Sequence, residues 1–211
     1  MIVLFAVFTA LVQIVDVQPV GQNGTDIGFA AFNSWFHKLT GVHMEIYTIT
    51  DLLELIPLAI CLLFGIIGFV QLIKRRSLFK VDKDIIFLGI YYVAVIFAFV
   101  IFEIIPVNYR PILIEGDLET SYPSSTTLLV ISVMSTFIYQ INRRLENETA
   151  KKIISIIAVV YTVFMVIGRL IAGVHWFTDI LSSVILSTGL FFIYKAFVLL
   201  FCKKECREKR P

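Results

Sequence analysis

Charge is scarce in this sequence, at 16% of residues, and it is gathered in a few places. Between them run apolar blocks of roughly 20 residues, the length a helix needs to cross a hydrocarbon core of about 30 Å. A soluble domain of this length carries charge throughout and shows alternating or amphipathic periods. Most of the blocks are apolar on every face, which excludes that class. Cysteine is scarce too. Cys61, Cys202 and Cys206 form an odd, scattered set that builds no disulfide framework. Repeats, low-complexity stretches and linkers are lacking, so residues 1–211 read as a single domain. The N-terminal block lacks the charged flank and small-residue cleavage site of a secretory signal, and it reads as a retained span.

What is present is a set of six apolar spans, near 2–17, 49–73, 85–105, 125–141, 153–172 and 177–201. Within lipid the backbone must satisfy its own hydrogen bonds, so the spans are predicted to be helices. The expected fold is all-α: a polytopic membrane protein with a six-transmembrane-helix bundle. Pro57 is expected to bend the second span. Three basic clusters follow spans two, four and six: Lys74 to Lys83, Arg143 to Lys152, and Lys203 to Arg210. They share one side, which the positive-inside rule makes cytoplasmic, and they do not form a nucleic-acid patch. Both termini are then cytoplasmic, with the plasma (inner) membrane as the expected location. The connection after span one carries Phe29, Phe32 and Phe36 at helical spacing, with Trp35 and Leu39 nearby. It reads either as an interfacial amphipathic helix on the outer leaflet or as a plug packed over the bundle.

Polar groups at membrane depth are expensive and need a reason. Arg110 follows span three, Arg169 ends span five, and His175 and Asp179 straddle the start of span six. Pro123, Ser124, Ser125, Thr126 and Thr127 open span four. Three connections thus bring these residues to one outer face. Two guanidinium groups can clamp a phosphate, and a helix N-terminus favours an anion. A carboxylate bonded to one imidazole nitrogen fixes the tautomer and frees the other nitrogen to attack. Taken singly, an arginine near a span end snorkels and a serine-rich helix start caps. Taken together, they favour a phosphate site.

The order Arg110-Pro111, then Pro123-Ser124, then Arg169, His175 and Asp179 resembles the type 2 phosphatidic acid phosphatase superfamily of membrane lipid phosphatases. The resemblance implies His175 as the nucleophile and Asp179 as its partner. It implies Arg110, Arg169 and Ser124 as phosphate ligands, with Ser125 and Thr126 beside them. Such enzymes need no metal or other cofactor, and the sequence has no metal-ligand cluster. The motifs also depart from the family. Glu103 stands where the first motif has a lysine, Thr126 where the second has its acid histidine, and Ser125 where it has glycine. Gly168 stands where the third motif has serine.

Threonine does not protonate a leaving group at neutral pH, and that help is typically worth about 10²–10⁴-fold. A diphosphate, whose leaving group is a weak base, suits such a site better than a monoester. The resemblance therefore implies an outward-facing phosphatase of lipid phosphates or diphosphates, with polyprenyl diphosphate favoured and a phosphohistidine at His175. A lipid-phosphate binder or carrier on the same fold is the alternative. His37, His43 and Tyr122 are candidates for a replacement acid. Glu103 is expected to pair with Arg110 or Arg169.

Overall fold

The computed structural model describes residues 1–208, with side chains through Cys202. The third basic cluster and Cys206 lie outside the described side chains. Eight α-helices follow one another: α1 (Ile2–Ile14), α2 (Ala30–Thr40), α3 (Met44–Leu53), α4 (Leu55–Arg75), α5 (Lys83–Ile104), α6 (Ser125–Arg144), α7 (Glu148–Ala172) and α8 (Phe177–Glu208). Among the described residues, β pairing is limited to isolated bridges in connections.

Among the described residues, four segments are long and apolar enough to cross a membrane: Met44–Arg75 taken through its break, Lys83–Ile104, Glu148–Ala172 and Phe177–Cys202. Their outer faces stay apolar. Phe69, Phe97, Ile157 and Leu200 are 62%, 65%, 63% and 68% exposed. A belt of this kind is stable against lipid and unstable against water. α1, with 13 residues, is only ~20 Å long.

α6 has the length to cross but not the apolarity, because it sits inside the bundle against α4, α5, α7 and α8. Its Ser132, Thr136 and Gln140 are fully buried. Buried groups of this kind are mostly hydrogen-bonded, and here two of the three are, Ser132 Oγ being the exception. Gln140 Nε2 donates to Tyr194 Oη at 2.7 Å, and Thr136 shares a hydrogen bond with Tyr92 at 3.1 Å. Leu88, Leu128, Val133 and Val198 are buried in the bundle as well.

The second span breaks at Glu54, between α3 and α4, and not at Pro57 itself. Proline has no N–H to give the carbonyl four residues before it. That carbonyl belongs to Leu53, and Tyr161 Oη from α7 donates to it at 2.9 Å. The break is thus a prepared feature with its freed acceptor satisfied.

At one end of the bundle the connections are clasped by charge. Arg75 pairs with Asp82 at 2.7 Å, and Arg144 pairs with Asp84 at 2.8 Å. Gln71 donates to the other oxygen of Asp82. The first two basic clusters are therefore partly engaged in holding α4, α5 and α6 together.

α2 packs by one face and exposes the other. Asn33 is buried and donates to Gly28 O and Thr178 Oγ1, which fixes α2 to the start of α8. Phe32 and Phe36 each lie 5.2 Å from the Phe177 ring. Trp35 and Leu39 point outward, 57% and 67% exposed. The helix thus packs over the bundle by one face and leaves an apolar face uncovered.

Candidate active site

The end opposite the clasp gathers the C-termini of α5 and α7, the N-termini of α6 and α8, and the connections between them. The α5–α6 connection folds back on itself. Tyr109 bridges Thr120, and Ile114 bridges Asp117. Glu115 and Gly116, both at positive φ, make the tip, as a tight two-residue hairpin turn requires. Arg110 N donates to Glu119 O, and Ser121 N donates to Asn108 O. This ribbon, which sequence patterning did not reveal, sets Arg110 opposite Glu119 and Ser121 opposite Asn108.

His175 is almost fully buried in the short turn between α7 and α8. Its Nδ1 lies 3.1 Å from the Ser121 carbonyl. A carbonyl can only accept, so Nδ1 carries the proton and Nε2 keeps its lone pair. Nε2 is buried with no hydrogen-bond partner. Burial first, then the charges of Arg110 and Arg169, hold the imidazole well below its ordinary range. It is neutral at pH 7.

The expected carboxylate–imidazole bond is not made. Asp179 Oδ2 is 3.9 Å from Nδ1. α8 begins at Phe177, so the two residues do not share a helical face. Asp179 instead accepts from Trp176 N at 2.9 Å, the reach-back of a capping box, and from Asn108 Nδ2 at 3.0 Å. The Ser121 carbonyl orients the ring, and Asp179 sits behind it as a nearby charge.

Arg169 is 2% exposed, so it does not snorkel. Its Nη1 reaches Thr50 Oγ1 at 3.4 Å and Asp51 at 3.8 Å, and its Nε is buried without a hydrogen-bond partner. Arg110 Nε pairs with Glu119 at 2.9 Å, while its Nη1 is buried without a hydrogen-bond partner. Both guanidiniums lie over the ring of Tyr47, at 4.8 Å for Arg169 and 5.9 Å for Arg110. Tyr47 and Asn108 complete the site, and neither was named from the sequence.

Ser124 is buried at the start of α6. Its hydroxyl donates to Thr127, and its carbonyl accepts from Ser183. Ser125 is half-buried. Thr126 is buried and donates to Glu54 Oε2 at 2.7 Å. Glu103 is exposed and accepts from Thr120 at 2.6 Å. It pairs with neither arginine, since Glu119 and Asp51 hold those places.

Tyr122 is engaged by other partners. Its hydroxyl meets Thr9 at 2.8 Å, and its ring packs on Phe5 and Phe102. His37 contacts the Gly173 carbonyl, and His43 contacts the Thr40 carbonyl. None of these three candidate acids is bonded to Thr126. Among the described residues, no three His, Cys, Asp or Glu side chains are grouped to hold a metal ion. An apolar groove of about 570 Å³ between α4 and α5 includes none of these groups.

Fold and site together define a multi-pass helical membrane protein with a buried, cationic, histidine-bearing end. Residues 98–201 match the PAP2 superfamily model. The chain also superposes on the crystal structure of a transmembrane PAP2-type phosphatidylglycerolphosphate phosphatase from Bacillus subtilis. The TM-score is 0.67 at 19% identity, over 95% of this chain and 94% of that one. No curated protein sequence matches the chain. The match spans just under half of the chain, the superposition shows a shared fold, and both agree with the resemblance read from the motifs.

Proposed function

We propose that this protein is an outward-facing membrane lipid phosphatase. α1 and α6 complete a six-span bundle, and both termini are cytoplasmic. His175 Nε2 attacks the phosphorus of a lipid phosphate or diphosphate, and the phosphohistidine is then hydrolysed by water. One observation carries this reading. His175 Nε2 is buried, unpartnered and unprotonated, close enough to Arg110 and Arg169 to feel both charges.

Buried donors without partners are costly. A phosphoryl group bound there gives Arg110 Nη1 and Arg169 Nε acceptors at the point where charge builds up in the reaction. The N-terminus of α6, with Ser124 and Ser125, adds its dipole. The Tyr47 ring lies within cation–π distance of both guanidiniums. Asp179 steadies the positive imidazole ring of the phosphohistidine. A diphosphate demands least of the site, because its departing phosphate needs no proton from Thr126. Polyprenyl diphosphate is the favoured substrate class.

The test is phosphate release by purified protein from a panel of lipid monophosphates and diphosphates. His175→Ala should abolish it. Arg169→Ala should weaken vanadate binding by on the order of 1.5–3 kcal/mol, the worth of a charge-assisted hydrogen bond. Tight vanadate binding without phosphate release from any lipid would identify a binder or carrier instead.

A further inference from the structure

Thr126 stands where a proton donor is expected, and it is not alone there. Its hydroxyl donates to Glu54 Oε2 at 2.7 Å. Glu54 occupies the break between α3 and α4, where the chain leaves helical register beside Pro57. It is half-buried, and it is close enough to Arg169 to interact with its charge. It also lines a cavity of about 260 Å³ with Ser125, Val95, Ile96, Phe99 and Leu128. Apart from Glu54 and Ser125 those walls are apolar. Glu54 therefore stands at a boundary. On one side are the arginines, the α6 N-terminus and His175. On the other is an apolar chamber fit for a hydrocarbon chain. A lipid phosphate bridging the two places its ester oxygen between phosphate and chain, at the depth of Glu54.

We infer that Glu54 is the proton donor to the leaving group, held in place by Thr126, and that it extends this site to lipid monophosphates. The inference rests on the phosphatase reading above. His175 Nε2 forms a bond to phosphorus while the phosphorus–ester oxygen bond breaks. The bonding pair goes to the lipid oxygen, which takes the proton of Glu54 and leaves as the alcohol. Water then attacks the phosphohistidine, the phosphorus–nitrogen bonding pair returns to Nε2, the water's proton passes to solvent, and Glu54 is reprotonated from solvent. Inorganic phosphate departs, and both side chains return to their starting states. Thr126 is a positioning residue, and its hydroxyl fixes which carboxyl oxygen faces the lipid.

The experiment compares two leaving groups in Glu54→Gln: a lipid monophosphate, which needs a proton, and an alkyl-substituted aryl phosphate, which does not. Lipid monophosphate turnover should drop by the ~10²–10⁴-fold typical of a general acid, while aryl phosphate turnover stays within about threefold. The alkaline limb of the lipid monophosphate pH profile should disappear with it. Unchanged vanadate binding confirms that the variant is folded. Equal losses on both substrates, or no loss on either, overturn the assignment of Glu54. Where Glu54→Gln does not accumulate, Thr126→Val keeps the carboxyl and removes its anchor. It should give the same selective loss on a smaller scale, and an unselective one overturns the assignment. His175→Ala separates the two levels, since it removes both activities. A wild-type protein that cleaves neither compound defeats the phosphatase reading and this inference together.

Discussion

His175 has two nitrogens with different fates, one tied to the Ser121 carbonyl and one left open. Its ordinary pKa is about 6.5, and burial with two neighbouring cations lowers it. In the proposed reaction, protonation would remove the attacking lone pair. Turnover of an aryl phosphate, which needs no acid, should therefore stay level as pH falls to about 6.5 and decline only below it. Stability carries the same sign. The unfolded chain takes up a proton near 6.5 and the folded chain does not. The contribution is thus whole above that pH and is lost as pH falls toward the depressed value. A kcat/KM profile whose acid limb sits at or above 6.5 would contradict the burial argument.

The gathering of Arg110, Arg169, His175, Asp179 and the α6 start at one end was legible, because polar residues at membrane depth stand out against apolar runs. Glu54 and Tyr47 were not legible. Each lies in a segment before the matched region, and each makes its telling contact across helices. Glu54 meets Thr126 at a separation of 72 residues. Hydropathy reads along a chain and is blind to such a meeting. The Asp179 contact was misjudged for a related reason: spacing of four implies one face only inside a helix, and α8 begins after His175.

At the scale of elements, the informative helices are the two that least resemble ordinary spans. α6 is polar because protein surrounds it, so its boundaries were readable while its surroundings were not. The α3–α4 pair is broken, and the break is held from outside by Tyr161. Tyr161→Phe removes that donor and leaves the Leu53 carbonyl short of a partner in a half-apolar setting. We expect a loss of about 1–3 kcal/mol in stability, read as a lower unfolding temperature in detergent. Lipid monophosphate turnover should fall further than aryl phosphate turnover, since the same break positions Glu54. A variant as stable as the parent, with both activities intact, would mean that the break holds without Tyr161.

For the whole molecule the two ends have opposite characters. One is clasped by Asp82 and Asp84 with Arg75 and Arg144. The other buries its cations, Arg110 and Arg169. The proposed orientation puts the clasp in the cytoplasm. In a protein cleared of its own cysteines, single cysteines at Lys80 and Glu146 should resist an impermeant thiol reagent applied to intact cells. One at Asp117, on the exposed tip of the ribbon, should react. The reverse pattern would invert the protein in its membrane and move the reaction to the inner leaflet.

The turn that carries His175 begins at Gly173, which has φ of +71° and lies so close to Gly41 that an added Cβ would fall 2.1 Å from the Gly41 carbonyl oxygen. His43 N donates to the Ala172 carbonyl, and His37 contacts the Gly173 carbonyl. Two stretches far apart in the chain thus meet backbone to backbone, with no side chain between them to trim. The mutational tolerance of the protein is correspondingly uneven. The lipid-facing sides of α5 and α7 can exchange one apolar residue for another with little effect, whereas a single methyl group at position 173 pries the α2–α3 connector away from the turn beneath it.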